Sequence, residues 1–463
     1  MIRNDTALAE SDVKHLIHGF TNLTRHQAQG PVIMVRGEGV HVFDESGKEY
    51  IEAAGGMWCA SLGFNEPALA EAAADQLRRL PYYHTLTSKS VDRAIELAEK
   101  LCSIVPIPNA RIYFAVTGSE GNDYLVKFLW AYNNIIGRTK KKKVITRIGA
   151  YHGATVVATS LTGLPRNHAL FDAPLDRFIH VGNMHYYADA RDGESEEEFA
   201  ARRARELEDE ILRQGPDTVM AFMAEPVMAG GGVIFPPADY YARVQEVLCK
   251  YDVMFLADEV VTGFGRTGNM FGCETYGIKP DGMVLGKGIT SAYQPLAAVV
   301  LSDKIYQGLK SVSDTVGSFA HGATYSGHPV ATAVALKTIE LMEQRNVLAH
   351  VREVAPYLKE RLEALHDWPF VGEVRAQGLM AAVQFVRDKK ARKPFDPVGS
   401  FAALVHAKSE AHGVITRHAS VGDTIAFSPP LTITKAEIGE AMDRFEKGLK
   451  EAIASFNNRE NKS

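Results

Sequence analysis

Between about residues 70 and 325 the chain alternates short, β-branched apolar runs with longer stretches of helical period. The runs 111–116, 144–148, 219–224, 253–257, 283–285 and 296–301 predict strands. Amphipathic helices are predicted over 120–136 and 240–250. The segment 194–214 mixes acids and bases over a Phe199, Leu207, Ile211 stripe, which predicts a surface helix. Strands alternating with helices imply an α/β fold whose mostly parallel sheet is covered on both faces. In such sheets ligands collect at the carboxyl ends of the strands. The flanks differ. Residues 32–51 alternate around Gly37, Gly39 and Gly47 as a small antiparallel meander would, whereas 330–343 and 351–365 predict helices and 378–385 a strand. A large domain over 70–329 is therefore expected, with residues 1–69 and 330–463 folding together as a smaller α+β domain.

Bulk properties narrow the classes. A chain of 463 residues, 46% hydrophobic and 23% charged, can bury the cores of two domains. A formal charge of −5 opposes nucleic-acid binding, and the basic run Lys140 to Lys143 reads as a solvated loop. The cysteines Cys59, Cys102, Cys249 and Cys273 are too scattered for a zinc site or a disulfide framework. No apolar stretch approaches the roughly 20 residues of a membrane span. The first 20 residues carry Asp5, Glu10 and Asp12, unlike a secretory signal, so a cytoplasmic protein is expected.

Candidate chemistry gathers at the predicted strand ends. Lys287 follows Val284-Leu285-Gly286, and Asp258 closes Met254-Phe255-Leu256-Ala257. A lysine and a carboxylate at two strand lips suit an amine that forms a Schiff base with pyridoxal phosphate beside an acid that keeps the pyridine nitrogen protonated. Alternatively, Lys287 is a surface lysine just past a strand. In Thr117-Gly118-Ser119-Glu120-Gly121-Asn122 a strand gives way to a helix start, an anion site with Ser119 as hydroxyl donor, or else Ser119 is an N-cap. Tyr151 either lies on a ring or packs on a helix start. Glu225, after Ala224, is a site residue or a loop hydrogen-bond acceptor. His321 to Pro329 offers hydroxyls and glycines suited to phosphate, but its two histidines lack a third ligand, so no metal is expected. Gly263 to Gly268 matches G-x-G-x-x-G, the basis for a rival reading as a nicotinamide-dependent dehydrogenase. The following Asn269-Met270-Phe271-Gly272 has no helical period, which removes the context that motif needs.

Seven blocks in order resemble the class III (omega) aminotransferases of pyridoxal-phosphate fold type I, especially amine–pyruvate and 4-aminobutyrate–pyruvate transaminases. They are Gly56-Met57-Trp58, Gly118 to Asp123, Tyr151-His152-Gly153, Ala224-Glu225-Pro226-Val227, Asp258 through Gly268, Lys287 with His321 to Pro329, and Ser428-Pro429-Pro430. The resemblance implies a mostly parallel seven-stranded sheet and a ping-pong transfer of an amino group from an amine or ω-amino acid to pyruvate. Lys287 would hold the cofactor and shuttle the proton, Asp258 would pair with the ring nitrogen, Val260 would back the ring and Tyr151 would stack on it. Gly118 and Ser119 would bind the phosphate, Glu225 would join the cofactor site, and Thr324 would reach it from a neighbouring subunit, implying a homodimer or a dimer of dimers. Trp58 would line the substrate pocket, or serve as a core or interface residue. Arg417 would grip the keto acid's carboxylate, or sit as a surface arginine at a strand edge. Gly121 departs from the family's usual alanine, and Ala426 stands where the ornithine-type branch carries an arginine. An aminomutase and an amino-acid decarboxylase share the fold and remain alternatives.

Overall fold

The computed structural model describes residues 6–419 and 421–460. Its centre is a seven-stranded sheet. In chain order the strands are β1 (Arg111–Ala115), β2 (Lys143–Arg147), β3 (Phe178–Val181), β4 (Val219–Ala224), β5 (Met254–Asp258), β6 (Gly282–Leu285) and β7 (Ala297–Leu301). Across the sheet they lie in the order β1-β7-β6-β5-β4-β2-β3. Only β7 is reversed, pairing antiparallel with both β1 and β6. The other six therefore run the same way, as the alternating pattern predicts.

Alternate residues of these strands feed two separate cores. Ile145, Phe222, Ala224, Phe255, Ala257 and Met283 face one cluster, which includes Tyr241, Val244 and Leu248 of the helix Tyr240–Lys250. Val144, Met223, Leu256, Val284 and Val299 face the other, with Leu125, Val126 and Leu129 of the helix Gly118–Ile135. Every residue of β4 through β7 is buried, which is why they read as continuous apolar runs rather than alternating ones. At Gly121 a Cβ would lie 2.6 Å from Val284 Cγ1. Glycine thus lets the helix approach β6 closely.

The chain ends meet. Met34–Glu38, His41–Asp44 and Glu49–Glu52 form the expected antiparallel meander, and Val414–Ile415 from the far end adds to it in parallel, Val414 opposite Ile51. A third sheet joins Val371–Gln377, Met380–Phe385, Asp423–Phe427 and Arg417–His418. The helix Lys435–Glu460 closes the chain, and no helix among the described residues is long and apolar enough to cross a membrane.

Candidate active site

Because β1, β2, β4, β5 and β6 run the same way, the residues after their ends share one rim. There Gly118, Tyr151, Glu225, Asp258 and Lys287 line a single cleft of about 530 Å³. Lys287 opens a short turn, Lys287–Thr290, with φ +44, a left-handed conformation that costs a non-glycine residue about 1–3 kcal/mol. Asp258 sits in register with Val284, three residues before Lys287, so the carboxylate and the amine stand at the lips of adjacent strands. Among the described residues Lys287 Nζ has no hydrogen-bond or ion-pair partner.

Asp258 is only 4% exposed and is held from three directions. Its Oδ1 accepts from Val260 N–H at 3.1 Å, and its Oδ2 from Asn122 Nδ2 at 2.9 Å and His152 Nδ1 at 2.8 Å. With its proton on Nδ1, His152 takes up the Thr146 hydroxyl on Nε2, 3.1 Å away. Asn122 Nδ2 also reaches the His152 carbonyl at 2.7 Å. Neither Asn122 nor His152 is singled out by the sequence. The aim of Asn122 at Asp258 depends on the register of its helix, and nothing near His152 in the sequence marks Asp258 as its partner.

Thr117, not Ser119, caps the helix Gly118–Ile135: its hydroxyl accepts from Glu120 N–H, and Glu120 reaches back to the Thr117 N–H. Ser119 is thereby released from the capping role, and its Oγ accepts from Ala154 N–H at 3.1 Å beside the cleft. The turn has no room for side chains. A Cβ at Gly118 would come within 2.8 Å of Val260 Cγ2, and one at Gly153 within 2.4 Å of Ser119 Oγ. Val260 lies between the Gly118 turn and the strand ends and lines the cleft.

Glu225 is turned to the backbone, its Oε1 accepting from Tyr151 N–H and its Oε2 from Ala229 N–H, both at 3.0 Å. Burial pushes its carboxyl above the usual range, with the Asp258 charge adding to the shift and His152 opposing it. It anchors the backbone that presents Tyr151, whose ring meets Phe20 edge-on at 6.1 Å. Trp58, 6% exposed, closes the other wall from a strained turn in which Gly55, Gly56, Met57 and Trp58 all have positive φ. Arg417 joins the cleft from the third sheet, 3.0 Å from Met57 Sδ, and burial holds its guanidinium below the usual arginine range. Thr324 alone of the candidates lies elsewhere. It is exposed, outside its own chain's cleft, with its carbonyl accepting from the Tyr82 hydroxyl at 3.0 Å.

The G-x-G-x-x-G run is not a phosphate loop. Gly263 to Gly268 is a buried turn whose Arg266 donates to the carbonyls of Pro429 and Leu379. The next helix, Gly272–Tyr276, is pinned by Glu259 accepting from Gly272 and Cys273 N–H. The cleft itself fits a flat anionic aldehyde. It offers a free amine, an opposed and fully braced carboxylate, a side-chain-free turn at a helix start and an aromatic lid.

Comparison with known proteins agrees. The family described as Aminotransferase class-III matches residues 23–449. A gamma aminobutyrate transaminase of Solanum lycopersicum, described as chloroplastic, is 44% identical over 422 residues, 91% of this chain and 81% of its own. The crystal structure of the omega transaminase from Pseudomonas jessenii in complex with PMP superposes with a TM-score of 0.95 at 46% identity, covering 96% of this chain and 98% of its own. A structure described as a transaminase with L-ala matches with a TM-score of 0.90 at 45% identity, over 92% of this chain and all of its own. Likeness of this extent in both sequence and fold means that the chain belongs to the class III aminotransferases and is an enzyme dependent on pyridoxal phosphate.

Proposed function

We propose that this aminotransferase takes the amino group from an amine or ω-amino acid and delivers it to pyruvate in two half-reactions. The observation that carries the reading is the pairing of Lys287 with Asp258 at adjacent strand ends under a cleft that also holds Arg417. When bound, pyridoxal phosphate supplies a carbonyl that takes up the amino group and a cationic ring that draws electrons from the carbon losing its proton. Lys287 would hold the cofactor through its Nζ and, as a neutral amine, would move the proton there. Asp258, aimed by the donors Asn122, His152 and the Val260 N–H, would pair with the ring nitrogen. Val260 and Tyr151 would hold the ring, and Gly118 and Ser119 would receive the phosphate at the helix start. Glu225 serves the cofactor site by fixing Tyr151.

Pyruvate is favoured over a dicarboxylic keto acid by one arrangement. Arg417 and Ala426 are direct partners on neighbouring strands, so one guanidinium lines the cleft where the resemblance implies a second for the ornithine-type branch, at the alanine's place. A transaminase related in fold is described with L-alanine, the amino form of pyruvate. Trp58 bounds the space left for the donor's side chain. We also propose a homodimer in which Thr324, exposed beside Tyr325, reaches the partner's phosphate site. The same reading divides the chain into a cofactor-binding domain over 70–329 and a smaller domain from both ends. A panel of amines and ω-amino acids assayed against pyruvate and 2-oxoglutarate tests the substrate class. Turnover with 2-oxoglutarate but not pyruvate, or release of carbon dioxide without an acceptor, would overturn it.

A further inference from the structure

Away from the cleft, three side chains from separate stretches of the N-terminal segment converge. Asp12 lies on the helix Ala7–His15, His26 on the helix Leu23–Gln29, and His18 in the link between them. Both imidazoles aim Nε2 at the same carboxylate. His18 Nε2 is 3.0 Å from Asp12 Oδ1 and 2.9 Å from Oδ2, and His26 Nε2 is 2.9 Å from Oδ1. One ligand atom from each residue falls within 4.8 Å of the other two, and no other such trio of His, Cys, Asp or Glu occurs among the described residues.

We propose that Asp12, His18 and His26 form a binding site for a divalent transition-metal ion of the Zn²⁺ class, with a fourth position left to water. Two imidazole nitrogens and one carboxylate oxygen are a donor set that Zn²⁺ takes readily. Ligand atoms around a tetrahedral centre with bonds of about 2.0–2.1 Å lie roughly 3.3 Å apart, so the two nitrogen–oxygen separations of 2.9 Å need to open by only a few tenths of an ångström. The two rings lie with centroids 4.2 Å apart and turn both Nε2 atoms to one carboxylate, so with the ring proton on Nδ1 each offers a lone pair at the same point. Exposure is graded for entry and retention: the side chain of His18 is 30% exposed, that of Asp12 16% and that of His26 8%.

The site has a consequence for catalysis. Phe20, two residues beyond His18 and at φ +54, lines the cleft mouth and meets Tyr151. An ion joining Asp12, His18 and His26 ties down both sides of the link that carries Phe20.

The test uses chelator-treated holoenzyme titrated with Co²⁺. Near one equivalent per chain, with the visible d–d bands of a four-coordinate nitrogen–oxygen site, is expected, and Zn²⁺ should displace it. The bands should be lost in the His18→Gln/His26→Gln double variant, which keeps neutral polar side chains in place, and weakened at least tenfold in affinity in Asp12→Asn. Because the readout is the metal's own absorption, it is independent of whether the amine donor or acceptor has been assigned correctly. No saturable Co²⁺ spectrum in the parent, or an unchanged one in the folded double variant, overturns the proposal.

Discussion

Replacing His152 by alanine would leave Asp258 Oδ2 with one side-chain donor, Asn122, instead of two. The deleted bond is 2.8 Å long between side chains that are 0% and 4% exposed, so water has no ready path to replace it. A hydrogen bond to a charged group contributes about 1.5–3 kcal/mol. At roughly 1.4 kcal/mol per factor of ten, the amine half-reaction should slow by about 10- to 150-fold. The measurement is the single-turnover rate of the bound cofactor with excess amine, followed by its absorbance, in four proteins: parent, His152→Ala, Asp258→Asn and the double variant. If His152 acts through Asp258, the double variant should match Asp258→Asn to within about 0.5 kcal/mol, because the interaction it removes is already gone. Thermal melting of each variant separates this from a folding defect. Full additivity of the two losses, or no loss at all in His152→Ala, would refute the reasoning.

Other consequences follow from named contacts. Arg417→Ala should raise KM for pyruvate far more than for a neutral amine donor, and steady-state kinetics showing equal effects would remove its assignment. Gly118→Ala places a methyl within 2.8 Å of Val260 Cγ2, so cofactor affinity should fall, and Val260→Ala in the same chain should restore part of it; an unaffected Gly118→Ala protein would show that the turn is not tightly shaped. Glu52 is buried at the foot of the strained Trp58 turn and accepts from Ala54 N–H at 2.9 Å, with burial raising its pKa from 4.5 to about 7. The folded protein therefore holds that proton more tightly than the unfolded chain. Its contribution favours folding in acid and is lost as pH climbs from 4.5 to about 7, a change of about 3 kcal/mol. Glu52→Gln should accordingly melt higher than the parent at about pH 8, with the gap closing toward about pH 5, and a pH-independent difference would contradict this.

The sheet was legible because its buried strands are uninterrupted apolar runs. Predicted runs at 219–224 and 296–301 coincide with β4 and β7 to within a residue. The strand β3 escaped notice: it is four residues long, half-exposed along most of its length and paired on one side only, so burial wrote little apolar signal into it. Helix 240–250 and the helix behind Gly118 declared themselves through their apolar stripes. At the site, Lys287, Asp258, Gly118 and Tyr151 could be placed because strand ends are visible in the chain and parallel strands bring them to one rim. The bracing of Asp258 could not. Asn122 and His152 lie 136 and 106 positions from it, and only the packed sheet shows that they point at one oxygen. The pairing of Val414 with Ile51, which brings the two chain ends together near the Trp58 turn, is likewise a long-range register that local pattern does not encode. Glu225 illustrates a middle case: the strand-end carboxylate and its reading as a loop hydrogen-bond acceptor were visible, but which two backbone amides it engages was not.

The proposed reaction depends on the Lys287 amine as the point of attachment of the cofactor. Purified protein reduced with borohydride and digested should give a single pyridoxyl-modified peptide, with the added mass on Lys287. A modification carried by any other lysine, or yellow protein that yields no covalent adduct at all, would contradict it.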